Sequence, residues 1–311
     1  MLEELGFSPT QHVKGRASIA DLLKSDERCG IYVLHFANGE FYAGQAVDVT
    51  RRYVQHRKTH DDIDKIAFKR VPRNKLNDEE RTVIWHLEQK GCSLRNVTFT
   101  SIPKGESDFD LVMSIEEQER WLNDLDYVED SGDRLTNPDV RRKYGRRFQR
   151  FLKTPHADET LGVLRSYVRV GIPVFRRSEL SFWGCSCLPS KDVYSRVNIY
   201  WQEVLTAFAF DNNLWFSLHL ARSPLEEAFG RSLAPLLERH PEVEHVHHRY
   251  KPGGPDQTRV EIPGAESTKA FLADKEILPA IRLFNLRLMK KGPCIYGRYH
   301  CMDMADWLVS S

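Results

Sequence analysis

Tyr32, Tyr42, Arg52, His56 and Glu80, brought together, are of the types that could hydrolyse a phosphodiester. That reaction requires an activated water, a cation at the phosphoryl oxygens and help for the leaving oxygen. Arg52 offers a permanently charged, planar fork that matches phosphate oxygens. Glu80 is a hard oxygen ligand for one divalent metal, which would supply Lewis acidity. Mg²⁺ keeps several of its waters, so a single protein carboxylate is enough to hold it, and Mn²⁺ can substitute. A tyrosine is a poor base by itself, because an ordinary pKa near ~10 keeps it protonated at neutral pH. A hydrogen bond to His56 or the nearby metal would favour the phenolate. Tyr32 is therefore assigned as the base and Tyr42 as the group that positions water or phosphate, two roles that could be exchanged.

The elements that must place these side chains are also legible. Residues 31–36, Ile-Tyr-Val-Leu-His-Phe, form a β-branched and aromatic run, followed by Asn38-Gly39 and then Phe41-Tyr42. An Asn-Gly pair between two such runs predicts a hairpin with φ > 0 at both turn positions. That hairpin makes Tyr32 and Tyr42 neighbours across two strands. Asp48 is a good N-cap for a helix in which Val49, Tyr53 and Val54 form the apolar stripe. Arg52 and His56 are four residues apart and share one face of it. A third strand is expected from Ile66 to Val71. A second helix, capped by Asn77 or Asp78, then sets Glu80 in its first turn ahead of Val83, Ile84 and Leu87.

Gly30-Ile31-Tyr32, Tyr42-Ala43-Gly44 and the residues after them resemble the GIY-YIG endonuclease superfamily over residues 28 to 100, about a quarter of the chain. The resemblance implies a small three-stranded antiparallel sheet flanked by helices. It implies that Tyr32 and Tyr42, matching the two signature tyrosines, lie at the active site. It further implies that Arg52 stabilises the phosphate and that Glu80 holds the single metal. His56 is similar to a histidine of the restriction-type branch. Asn96 resembles the asparagine that closes the family's domain, and Gly30 and Gly44 are the signature glycines. Tyr-Ala-Gly stands where the family has Tyr-Ile-Gly, and the interval from Glu80 to Asn96 is a few residues longer than is common.

Each residue also has an ordinary reading. A hairpin tyrosine usually packs against its neighbours. Arg52 could be a solvated helix charge like Arg51 and Arg57, and a first-turn glutamate favours the helix dipole whatever its function. The joint spacing outweighs these readings.

The 311 residues leave room for two domains or three small units. With 41% hydrophobic and 29% charged residues the composition is that of a globular protein, and no apolar run is long enough for a membrane span. The N-terminus lacks a secretory leader pattern. Six scattered cysteines suit a reducing, cytoplasmic setting. The net charge of +1 hides an uneven distribution. The segment from Glu106 to Asp133 is acidic, through Glu116, Glu117, Glu119, Asp124, Asp126, Glu129 and Asp130. The next is basic, through Arg141, Arg142, Lys143, Arg146, Arg147, Arg150 and Lys153, with Tyr144, Phe148 and Phe151 at helical spacing. This reads as a helix that tracks DNA phosphates, or as a helix paired with the acidic block before it.

The expected organisation is α+β throughout. Residues 1–27 form a lead-in with a short helix beginning at Ser18, residues 28–103 the nuclease-like domain, and 104–173 an acidic then basic helical connector. Residues 174–311 form an aromatic-rich α+β domain for target recognition or oligomerisation, its boundary marked by Gly171-Ile172-Pro173. Strands are expected at Ser195–Trp201, Trp215–Leu220 and Arg259–Ile262, and helices at Asp158–Val170, Pro224–Arg239 and Ser267–Leu288. Nine aromatics here, Phe182 and Trp183 through Phe216, read as core ahead of a pocket for a flipped or modified base. The Lys251–Asp256 loop is a polar turn. Cys185, Cys187, Cys294 and Cys301 with His245, His247, His248 and His300 lack the spacing of structural zinc modules, and buried thiols are the better reading.

The expected function is thus a metal-dependent endonuclease acting on double-stranded DNA, used in restriction or phage defence, its C-terminal domain choosing the target. One such site cuts one strand, so a double-strand break implies a dimer, the expected state, or sequential nicking. The alternatives are a DNA-bound regulator that has lost catalysis, or a repair or homing nuclease.

Overall fold

The structure, a computed structural model, describes residues 2–96, 100, 107–127, 132–246 and 250–310. Glu106, Glu129, Asp130, His247 and His248, singled out above, lie outside them. The chain forms two compact units, Met1–Lys104 and Gly105–Ser311. Both are α+β, each with one antiparallel sheet, and no helix among the described residues is long and apolar enough to cross a membrane.

The first unit runs β1 (Gln11–His12), β2 (Gly30–Phe36), β3 (Phe41–Ala46), α1 (Val49–Arg57), β4 (Ile63–Arg70) and α2 (Leu76–Gln89). Its sheet is four-stranded in the order β1-β4-β2-β3, one strand more than expected. The addition is the two-residue β1, which pairs Gln11 with Ile66 and His12 with Lys65. β2 is central and buried at nearly every position, which explains its unbroken apolar run. On one face Ile31, Val33 and Ala43 pack with Val83, Ile84 and Leu87 of α2; on the other Tyr32 and Leu34 pack with Val49 and Tyr53 of α1. The helix expected from Ser18 does not form. Ile19 is buried from a series of turns, and the lead-in contributes β1 and the core residues Leu2, Phe7 and Val13 instead.

The β2–β3 hairpin departs from the expected turn in one respect. Gly39 has φ +86° but Asn38 is not in the left-handed region. Gly39 N–H donates to Phe36 O at 3.0 Å and Phe36 N–H to Glu40 O at 2.9 Å. This is the three-residue loop in which only the last position is left-handed. Asp48 caps α1 as expected, accepting from the Thr50 and Arg51 amides.

The second unit contains α3 (Ile115–Asn123), α4 (Pro138–Phe151), α5 (Ala157–Gly171), β5 (Trp183–Ser190), β6 (Val193–Ile199), β7 (Gln202–Phe210) and β8 (Asn213–Leu220). It continues with α6 (Arg222–Phe229), α7 (Ala234–Arg239), β9 (Glu244–Val246), β10 (Thr258–Pro263), α8 (Ala265–Ala273), α9 (Leu278–Met289) and α10 (Met302–Val309). The six-stranded order is β5-β6-β7-β8-β10-β9. Asp211 and Asn212, both at positive φ, turn β7 into β8. The two long helices expected after Pro224 and Ser267 are each split in two, the first at Gly230, whose φ is +79°.

The boundary expected after Pro173 falls inside this unit, so 104–173 is not a free-standing connector. Trp121, Tyr144, Phe148 and Phe151 share one core with Trp183, Phe216 and Phe284, because an aromatic helix face must be covered. Fully buried Arg282 of α9 donates to the carbonyls of Trp121, Asp124, Leu125 and Tyr127, ending α3 on a cation. Burial pulls Arg282 down to about 10. Arg134 grips both oxygens of buried Glu179, and His300 Nε2 lies 2.9 Å from Glu179 Oε1. His300 Nδ1 accepts from the Cys185 amide, so Nε2 carries the proton and donates to Glu179.

Candidate active site

The first unit brings Tyr32, Tyr42 and His56 into ring contact, with Arg52 interacting with both tyrosines. Tyr32 and Leu34 of β2 face Gly44 and Tyr42 of β3, so Tyr32 and Tyr42 stand diagonally on one face of the sheet. Their rings are 6.2 Å apart and near-parallel at 28°. α1 crosses that face, and Tyr32 Oη lies 2.7 Å from His56 Nε2. The His56 ring is 4.7 Å from that of Tyr42 and 5.7 Å from that of Tyr32.

Gly30 and Gly44 both follow from this packing. A Cβ on Gly44 would come within 2.5 Å of Tyr32 Oη and 2.8 Å of Tyr42 Cε1, so any side chain would push the two rings aside. At Gly30 it would run into the backbone carbonyl of Lys69 on β4, which no rotamer can move.

Arg52, one turn before His56, stays exposed. Its interaction with Tyr32, and after that with Tyr42, raises its already high pKa, and Nη1 donates to Gln55 at 2.8 Å. The guanidinium thus stands at the edge of the tyrosine pair with its charge open to solvent. Glu80 arrives from the opposite face of the sheet on α2 and is buried. Gln45 of β3 donates to both Glu80 Oε2 and Asn77 Oδ1 at 2.8 Å. The Glu80 charge is felt at Tyr32, where it opposes the phenolate.

Asn96 closes the arrangement from beyond α2. Its Oδ1 accepts from Ala43 N–H at 2.9 Å and its Nδ2 donates to Ala43 O at 2.6 Å. Sheet edges normally leave such groups unpaired. Asn96 thereby holds the outer side of β3 between Tyr42 and Gly44, and the longer interval after Glu80 does not prevent it.

The electrostatics correct one expectation. Burial, reinforced by Tyr42 and Glu80 and only partly offset by Arg52, pushes the Tyr32 phenol well above its ordinary value. His56 is pulled down to about 4 by burial, then by Arg52 and His60. At neutral pH Tyr32 is thus a protonated phenol and His56 a neutral imidazole. The pair does not rest as a phenolate. It is set for Tyr32 to donate to His56 Nε2 while the hydroxyl oxygen keeps lone pairs for a second donor.

A hard divalent cation held here would take the buried Glu80 carboxylate, whose Oε2 accepts from Gln45, as its oxygen ligand. No group of three or more His, Cys, Asp or Glu side chains that could hold a metal gathers among the described residues. Cys185, Cys187, Cys294 and Cys301 are free, buried thiols.

Two participants escaped the sequence reading. His60 stacks 6.1 Å from His56 and helps to lower it; its i+4 spacing was the available signal. Gln45 positions Glu80, and nothing in its sequence context marks it. Arg95 is a structural clamp, paired with Glu40 and Asp62 and lying 3.6 Å over the Phe36 ring.

The basic helix is α4, and its six cations, with Lys153 just beyond its end, divide. Arg141 pairs with Asp303 and Asp306 of α10. Arg142 pairs with Asp139. The acidic block does not cover the helix where it is described, since Asp110 pairs with Lys290, Glu117 with Arg177 and Asp126 with Lys275. Arg146, Arg150 and Lys153 are exposed, while Lys143 and Arg147 border a cavity. The Lys251–Asp256 loop is structural: Asp256 caps the Ser223 amide and accepts from Arg287.

Compared with protein-family models, with curated proteins and with solved structures, the chain gives no match in any of the three.

Proposed function

We propose that this chain is a metal-dependent DNA endonuclease, in which the first unit hydrolyses the phosphodiester and the second selects the target. The observation that carries this reading is the 2.7 Å contact between Tyr32 Oη and His56 Nε2 beside the second tyrosine and an open guanidinium. These side chains come from two strands and a helix, and burial keeps the resting pair as a phenol hydrogen-bonded to a neutral imidazole.

In this reading the phosphate docks on Arg52 and a water lies against Tyr32. Tyr32 takes the water proton as it gives its own to His56, so neither phenolate nor imidazolium has to persist in the resting site. Tyr42 orients the water or a phosphate oxygen. A divalent cation on Glu80 would supply charge stabilisation at the leaving oxygen. Gln45 holds Glu80 for that role, and Asn96 holds β3. The exposed cations of α4 supply salt-dependent attraction to the backbone. Restriction or phage defence is the proposed use, with dimerisation or sequential nicking needed to break both strands.

The test is cleavage with Mg²⁺ of unmodified, methylated and hydroxymethylated duplexes by wild type, Arg52→Ala and Glu80→Ala. Wild type is expected to cut at least one substrate and both variants to lose most of that rate. Robust cutting by either variant overturns the site assignment. A wild type that binds but leaves every duplex intact favours a DNA-binding regulator instead.

A further inference from the structure

The second unit holds a cavity of about 540 Å³ that none of the preceding chemistry uses. Its volume lies within the roughly 300–1,000 Å³ of small-molecule sites. Lys143, Tyr144 and Arg147 of α4 form one wall, and Tyr296 and Tyr299, from the turn before α10, form another. The floor is one face of the sheet: Ser186 of β5 stands opposite Arg196 of β6, and Asn198 of β6 opposite Glu203 of β7.

Three features define the ligand. Three cations face one carboxylate across the cavity, so the site favours an anion. Lys143 and Arg147 both approach the Tyr144 ring, at 5.3 and 5.5 Å, which keeps their charges at the rim. Three tyrosines line the same space, and tyrosine rings take planar groups by stacking. The floor carries polar atoms that no described residue satisfies. Ser186 is 6% exposed, yet among the described residues its Oγ has no hydrogen-bond partner, and neither has Arg196 Nε. Buried donors and acceptors are normally paired, so two orphans beside each other on adjacent strands mark a place where another molecule's polar edge belongs. Serine, asparagine and glutamate are side chains that read the amino, carbonyl and ring-nitrogen pattern of a nucleobase.

We propose that this cavity binds a single nucleotide, its base stacked on the tyrosines over the Ser186–Asn198 floor and its phosphate held at the Lys143–Arg147 rim. The nine aromatics noted in the sequence are not the ones involved. Phe182, Trp183, Tyr200 and Phe216 are core, and the stacking rings come from α4 and the Ile295–Tyr299 turn. A base extruded from a strand and a free nucleotide have the same chemistry here. The site stands on the second unit's geometry and requires no cleavage at Tyr32.

The experiment uses the full chain in EDTA, so that cutting cannot intervene. One arm titrates the four deoxynucleoside 5′-monophosphates by calorimetry. The other follows the emission of a 2-aminopurine mispaired in a duplex, which changes when the base leaves the stack. At least one arm should give a saturable signal. Tyr299→Ala should weaken it by about fivefold or more, whereas Tyr299→Phe, which keeps the ring, should restore it, with melting temperatures unchanged. Arg147→Ala should weaken the same signal. A response to the duplex alone identifies an extruded base, and a response to free nucleotides alone identifies a small-molecule occupant. The proposal is overturned if neither probe gives a signal, or if both act on Tyr299→Ala and Arg147→Ala as on wild type.

Discussion

Asn96→Ala tests whether one amide really sets the position of β3. The substitution removes an acceptor at 2.9 Å from Ala43 N–H and a donor at 2.6 Å from Ala43 O, at a residue that is buried. Ala43 faces Val33 on its inward side, so the bonds to Asn96 are the ones that tie down its outer side. Leaving one buried donor and one buried acceptor unpaired costs ~1–3 kcal/mol each, and some water reaches an edge strand, so ~2–4 kcal/mol is expected in total. Hydrogen exchange measured by mass spectrometry reads this directly, because local opening of β3 limits the exchange of its amides. Peptides covering Phe41–Ala46 should exchange ~30- to ~1,000-fold faster than in wild type, each 1.4 kcal/mol being tenfold, while peptides of the second unit stay unchanged. Asn96→Asp should recover little, since it returns the acceptor for Ala43 N–H but sets an anion against Ala43 O. Exchange of the β3 peptides within threefold of wild type in Asn96→Ala would refute the reasoning. Because β3 carries Tyr42 and Gly44, the same variant should lose cleavage although Asn96 touches no reacting atom.

Two further outcomes follow from charge. His56 has to be neutral to accept a proton, and its pKa is depressed to about 4, so at saturating metal its acid limb in kcat/KM should lie near pH 4 rather than 6.5. Arg52 is one cause of that depression, so residual activity of Arg52→Lys should keep the low limb and that of Arg52→Ala should show it moved upward. At α4, reversing exposed Arg146 and Arg150 together with Lys153 just beyond the helix should weaken duplex binding. The slope of log K against the logarithm of salt concentration should flatten by up to ~0.9 for each phosphate no longer neutralised. An unchanged slope removes α4 from the DNA interface.

The stretch from Gly30 to Arg57 is legible because local rules agree there. A β-branched run, a left-handed glycine, an Asp N-cap and a helical stripe all specify the same hairpin and helix. Gly44 is legible as a motif, but the reason for it, the Tyr32 ring lying across it, is tertiary. What local rules miss is non-local. β1 is two residues with no period of its own, made a strand only by Ile66 and Lys65 opposite it. β5, Trp-Gly-Cys-Ser-Cys-Leu-Pro-Ser, is buried on both faces along most of its length and shows no alternation, so its sequence reads as loop. β6, β8 and β10, by contrast, lie within two residues of the expected strands. The aromatic stripe of α4 announces a buried face but not the partner, and α4 packs on β5 and α10 as part of the second unit's core. The protonation of the Tyr32–His56 pair is beyond the sequence altogether, because it depends on how deeply each group is buried.

The central claim is that the Tyr32 hydroxyl moves a proton through His56. Tyr32→Phe keeps the ring that fills the β2–β3 face and removes only the oxygen 2.7 Å from His56 Nε2. The decisive measurement is the single-turnover cleavage rate of Tyr32→Phe at saturating enzyme and Mg²⁺, beside its affinity for the same duplex. A proton-transfer role predicts a fall of ~10²–10⁴-fold in rate with affinity unchanged. A rate within a few-fold of wild type would contradict the account.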